Sequence, residues 1–286
     1  MAVQWPLLIF SVLLGISSGI LVFLSIGEIR GMFKKVRFPL ALVALVLLAV
    51  GGCASAMHLG HIDRALYILG NPASGLSKEL FAVGFTAVVT LVYLILSRKD
   101  YPGPAKVFGI LALVGGIVLP LVAGASYIMP ARPAWDSVTL PLMYLGTGLG
   151  MGFTLSAAVV CAKGDQGERA FGLKLALAGV IISVVVMAAY IAWIAMAPHQ
   201  DSSRSIDLLL SGNLAMAFWL GVVVLGMALP LVLVAVAQRG AKPNAGAGGA
   251  SGALWGAFAS LVIGNVALRV IMYLMATSVE QLIYIF

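Results

Sequence analysis

Arg269 stands in the last apolar stretch of the chain with Asn265 four residues before it and Tyr273 four residues after. On a helix that spacing puts all three on one face. An ionisable group inside such a stretch is costly to keep there, so it is a functional candidate by default. Two readings stand for Arg269: a structural guanidinium that snorkels to an interface or binds backbone carbonyls, and a site residue that donates to a ligand oxygen or pairs an acid. His58 closes the second apolar stretch in Ala56-Met57-His58-Leu59-Gly60, and His61 follows at i+3. Glu79 opens the third stretch just after Ser77, which reads as an N-cap, where the helix dipole favours a carboxylate. A histidine and a carboxylate facing a lipid-accessible pocket can accept protons and hydrogen-bond a quinol hydroxyl, because the pKa values of such groups can be tuned across the working range. The plainer alternative is an interfacial histidine beside a capping glutamate.

Aromatic residues need the same double reading. Trp5, Tyr127 and Trp135 fall where an interfacial Trp/Tyr belt is ordinary. They could equally stack against a quinone ring or a docked protein. His61 and Asp63 read as loop residues that contact a partner or solvent, and with Arg64 and Arg132 they form the candidate docking set. The three histidines, His58, His61 and His199, all fall at span ends or in loops, which disfavours a haem held by two of them. No metal site is expected in this chain. Cys53 and Cys161 are too few for a cluster and fall near opposite ends of their spans, so they do not bridge. No HExxH, Walker or Ser/His/Asp set is present. The glycines at 146, 148, 150 and 152 lie inside a span and read as close helix packing.

These residues are positioned by a chain of 286 residues, 62% hydrophobic and only 9% charged. Soluble domains are about 45–50% apolar and about 25% charged. The expected class is an all-α polytopic membrane protein, which excludes a soluble enzyme and a nucleic-acid binder. A span needs roughly 20 mostly apolar residues. Eight such runs are found, at about 4–27, 38–57, 79–97, 105–128, 138–162, 170–196, 212–237 and 252–277, forming one transmembrane domain over 1–286. The first run has no basic leader and no small-residue cleavage site, and reads as a retained span. Segment 240–252 is a low-complexity inner loop.

Orientation follows from the loop cations. Arg30, Lys34, Lys35, Arg37, Arg98, Lys99, Lys106, Lys163, Arg169, Lys174, Arg239 and Lys242 fall on one side of the eight-span arrangement. Arg64, Lys78, Arg132 and Arg204 fall on the other. Twelve against four places both termini on the outer side. The net charge of +7 then reflects topology and attraction to anionic lipid, not nucleic acid. His58, Glu79 and Arg269 all come to the outer boundary or outer half, with Arg269 roughly 12 Å below its helix end at 1.5 Å per residue.

Several blocks resemble the membrane-anchor subunit of dimethyl sulfoxide reductase. They are Trp5-Pro6-Leu7-Leu8-Ile9-Phe10; Met57-His58-Leu59-Gly60 with Arg64-Ala65-Leu66, Asn71 and Leu76-Ser77-Lys78-Glu79; Tyr127 with Pro133, Trp135 and Ser137; and Arg269-x-x-x-Tyr273. The block from 57 to 79 is the most specific. Where the family commonly has Gly-x-Pro after His-Leu, this chain has Gly60-His61-Ile62, which leaves the role of His61 open. The resemblance implies a three-part enzyme of anaerobic respiration in the bacterial inner membrane. Its anchor would bind and oxidise menaquinol and carry no metal itself. A ferredoxin-like iron–sulfur subunit would dock on the periplasmic face, and a molybdopterin guanine dinucleotide subunit would reduce the terminal substrate. His58 and Glu79 match positions tied to quinol oxidation and proton release; Arg269, Tyr273, Asn265, Tyr127 and Trp135 complete the candidate quinol set. Alternatives are a quinone-reactive anchor of the polysulfide reductase type, a structural anchor with no quinone site, and a secondary transporter. The mostly apolar midplane disfavours the last.

Overall fold

A computed structural model describes residues 2–57, 70–99, 102–197, 200–240 and 247–276. Among them run nine helices: α1 (Trp5–Ile29), α2 (Lys34–Ala56), α3 (Gly75–Lys99), α4 (Pro102–Ala125), α5 (Thr139–Lys163), α6 (Gln166–Met196), α7 (Gln200–Leu210), α8 (Ala217–Gly240) and α9 (Ala247–Met275). All but α7 are long and apolar enough to cross a bilayer. In hydrocarbon each backbone N–H and C=O must be paired within the protein, and a helix does this inside one segment. The chain is thus a multi-pass membrane protein. The first 12 residues of α8, Ala217–Ala228, wind as π-helix, and this stretch brings Gly226 onto the backbone of Gly264 in α9.

The helix ends fall a few residues away from the positions read in the sequence, and α7 has no counterpart among the apolar runs. The α3 start is the instructive case. It lies at Gly75, so Ser77 is not the cap; the Ser74 hydroxyl accepts from the Ser77 N–H at 3.1 Å, while Ser77 Oγ donates to the Asn71 carbonyl at 2.6 Å. Arg37 is not a loop cation, because α2 begins at Lys34 and carries it into the bundle. There its Nε lies 2.8 Å from Glu28 Oε2. Tyr93 donates to the same oxygen at 3.1 Å, and Ser25 donates to the Gly109 carbonyl at 2.7 Å. One buried acid therefore ties α1 to α2 and α3, at the end opposite the 126–138 connection.

That same end is closed by a tight turn. Gly31 and Phe33 both adopt left-handed backbone, which a phenylalanine occupies only when its surroundings hold it there. The Phe33 N–H donates to Glu168 Oε1 at 2.6 Å, and its ring stacks on Phe23 at 4.7 Å and Phe171 at 5.9 Å. Glu168 also completes a capping box with Asp165 at the start of α6.

The centre of the bundle is the parallel pair α1 and α5, its two most buried spans. A Cβ on Gly19 would sit on the Gly148 carbonyl and 2.8 Å from Gly152 Cα, and one on Gly152 would meet the Gly19 backbone. Gly150 similarly faces Ser183 of α6. The glycine run is thus close packing, as its place inside a span implies. Replacing Gly152 by Val drives a side chain into backbone that cannot rotate away. It is expected to cost at least the ~1–3 kcal/mol of an overpacked core, lowering the melting temperature of the detergent-purified protein or preventing its recovery. Gly84→Val, where an added Cβ meets nothing within 4 Å, should leave it unchanged.

Candidate functional site

Arg269 lies six residues before the end of α9, roughly 9 Å along the helix axis. Only 1% of it is exposed, so it does not snorkel. Its Nε donates to Asn265 Oδ1 one turn earlier at 3.2 Å, and the Asn265 amide contacts Met151 Sδ on α5 at 3.7 Å. The guanidinium carbon stands 3.2 Å from the centroid of the Tyr144 ring, also on α5. Nη1 is buried and has no hydrogen-bond partner among the described residues. A cation fixed on two sides and bare on a third is costly to bury without something to bind.

Above the guanidinium, the 126–138 connection folds inward over the bundle. Tyr127 and Tyr273 share a hydroxyl hydrogen bond of 2.8 Å. The Tyr127 ring packs against Trp135 at 5.6 Å, Tyr144 at 5.8 Å and Tyr273 at 6.1 Å. Trp135 is 2% exposed and donates through Nε1 to the Met272 carbonyl at 2.9 Å, which removes it from any lipid-facing belt. Trp5, by contrast, is exposed. Tyr190 of α6 anchors the connection by donating to the Ala134 carbonyl at 3.0 Å. Burial, before any neighbour, pushes the Tyr127 hydroxyl well above the usual phenol range. The adjacent Tyr144 and Tyr273 and the Glu79 carboxylate add to this, so the hydroxyl stays protonated and remains a donor.

Glu79 lies in the second turn of α3, half-buried, and its charge reaches Tyr127, Tyr144 and Tyr273; that of Arg269 reaches Tyr144, Tyr190 and Tyr273. An acid and a cation therefore bear on one tyrosine cluster. The only ion pair among the described residues is the remote Glu28–Arg37. Of the residues named from sequence, the structure brings together Glu79, Tyr127, Trp135, Asn265, Arg269 and Tyr273. His58, His61, Asp63 and Arg64 lie outside the described residues. Arg132 places its guanidinium 4.6 Å above the Trp135 ring, bracing the connection. Tyr144, Tyr190 and Met151 join the site without any mark in the sequence, because a tyrosine or methionine inside an apolar span gives no periodic or charge signal. No group of three His, Cys, Asp or Glu side chains able to hold a metal occurs among the described residues. Cys53 is exposed and Cys161 buried, both free.

Fold and site together define a polytopic helical membrane protein with a buried polar–aromatic site near one end of its bundle. Residues 1–275 match the family model described as DMSO reductase anchor subunit (DmsC). The chain belongs to that family. It is also 25% identical over 280 residues to the C subunit of the polysulfide reductase of Wolinella succinogenes, covering 85% of this protein and 86% of that one. It is 30% identical over 174 residues to the YnfH subunit of an anaerobic dimethyl sulfoxide reductase of Escherichia coli, covering 56% and 58%.

If the hydroxyl pair joins the connection to α9, removing either partner should cost stability and removing both should cost little more. A double-mutant cycle on Tyr127→Phe and Tyr273→Phe, followed by SDS-induced unfolding, is expected to give a coupling of ~0.6–1.5 kcal/mol. Strictly additive losses would show that the 2.8 Å contact carries no energy.

Proposed function

We propose that the chain is the quinol-oxidising anchor of a three-subunit molybdoenzyme, embedded in the bacterial inner membrane with its 126–138 end toward the periplasm. The observation that carries this reading is the unpaired Arg269 edge beneath an aromatic cluster flanked by Glu79. A quinol needs flat apolar walls for its ring, donors for its oxygens and an acceptor for its protons. The tyrosines and Trp135, Arg269 Nη1, and Glu79 supply these in turn, so the residues present fit the substrate. The distribution of Lys and Arg supports the sidedness, since loops rich in them are held in the cytoplasm.

In this reading menaquinol enters from the bilayer and gives up two electrons and two protons. Glu79 and His58 accept the protons and release them to the periplasm. The electrons pass to an iron–sulfur subunit docked over the 126–138 connection, with His61, Asp63, Arg64 and Arg132 as the contact set, and on to a molybdopterin subunit. A site near the docking face keeps the tunnelling distance to the first cluster short. The family supports this assignment, and the similarity to a polysulfide reductase subunit over most of the sequence favours a second one. In that version the anchor chemistry is the same and the terminal substrate differs.

General acid–base groups contribute typically 10²–10⁴-fold to a rate. His58→Ala and Glu79→Gln are therefore each expected to lower quinol-linked substrate reduction by about 10²-fold, measured on the assembled complex. Dye-linked reduction, which bypasses the anchor, should remain at the wild-type level. Loss of the complex itself in His58→Ala membranes would show that the histidine is structural.

A further inference from the structure

Arg269 is arranged in more detail than a generic oxygen donor requires. Asn265 holds Nε, and the Tyr144 ring covers one face of the guanidinium at 3.2 Å. What remains is the Nη1 edge, buried and without a hydrogen-bond partner among the described residues. The groups within electrostatic reach of the guanidinium are phenols: Tyr144 from α5, Tyr190 from α6 and Tyr273 from α9 itself, the last sharing a hydrogen bond with Tyr127 of the connection. A phenol hydroxyl offers an arginine a dipole and not the full countercharge of a carboxylate. Glu79 of α3 acts on the same tyrosines but forms no ion pair with Arg269. Among the described residues the guanidinium thus has no ion-pair partner, and its open edge is available to an oxygen that enters the cluster. In a medium of low polarity such a charge discriminates between an ionised and a neutral ligand far more than between two neutral ones.

We propose that the Asn265–Arg269 pair on Tyr144 forms an anion hole for the ionised oxygen of a hydroxyl-bearing quinol, so that the substrate loses its first proton before it gives up an electron. The proposal rests on the quinol reading above and specifies what that site selects. In the step itself one quinol O–H bond breaks, the proton passes to the Glu79 carboxylate, and the electron pair stays on the oxygen facing Nη1; nothing is oxidised or reduced until the electrons leave. Asn265 is a positioning residue: it acts through the guanidinium and touches no substrate.

The test uses the anchor purified with its partner subunits and two probes, a 2-hydroxy-3-alkyl-1,4-naphthoquinone, ionised at neutral pH, and its 2-methoxy ether, which cannot ionise. Binding of each is followed by fluorescence quenching of the probe or of the protein. The wild-type complex is expected to bind the hydroxy probe tighter than the ether by about tenfold or more, the scale of one charge-assisted hydrogen bond. Arg269→Gln should bring that ratio to about one while the ether still binds. Asn265→Asp keeps the shape of the side chain and places a carboxylate on Nε. It should abolish the preference too, and it decides the matter if Arg269→Gln does not assemble. A ratio that persists in either variant, or that equals one in the wild type while both probes bind, overturns the anion hole and leaves the quinone site standing. Failure of both probes to bind the wild-type complex removes the quinol reading and the inference with it.

Discussion

Gly19 and Gly152 meet backbone to backbone, and neither could carry a side chain without separating α1 from α5. Close approach of this kind is how helices associate where lipid tails are as apolar as the residues they would replace. With α1 and α5 locked in parallel, α5 becomes a central wall on which other helices are arranged. Its glycines accept α1 on one side and α6 on another, through Gly148 and Gly150. Its Tyr144 and Met151 then face α9, which is what gives Arg269 and Asn265 their partners. The site is a consequence of the glycine contact, not an addition to it.

The two ends of the bundle handle buried charge in opposite ways. At the 30–33 end Glu28 is answered at once by Arg37 and Tyr93, and the result is a closed cluster that ties helices together. Breaking such a pair by removing one partner leaves an uncompensated charge, so its role is to be left alone. Near the 126–138 end Arg269 is given an amide and a ring, and among the described residues neither Glu79 nor any other acid forms an ion pair with it. The first arrangement is complete in the protein. The second leaves one cationic edge without a hydrogen-bond partner among the described residues.

Much of this is legible in the sequence because the membrane leaves a strong imprint. Eight apolar runs can only be spans, a lone arginine among them demands a reason, and i±4 spacing puts Asn265 and Tyr273 with it. Glycines at alternate positions from 146 to 152 point to helix packing, which the contacts with Gly15 and Gly19 bear out. What stays hidden depends on tertiary placement. Trp135 fits a belt position or a buried one equally well, and only the inward fold of its connection decides that it donates to Met272. Tyr144 looks like any apolar-span tyrosine until α9 lays a guanidinium on its face. Arg37 is misplaced by sequence because a few residues of helix start separate a loop cation from a buried ion pair.

The proposed quinol site is tested most directly by photolabelling of this protein, purified with whatever subunits accompany it, with an azido-naphthoquinone, followed by peptide mapping. Label is expected in the segments around Tyr127–Tyr144 and Asn265–Tyr273, competed away by unmodified menaquinol. Competable label confined to the opposite end, around Glu28, Arg37 and Tyr93, would contradict a quinol site beneath the 126–138 connection.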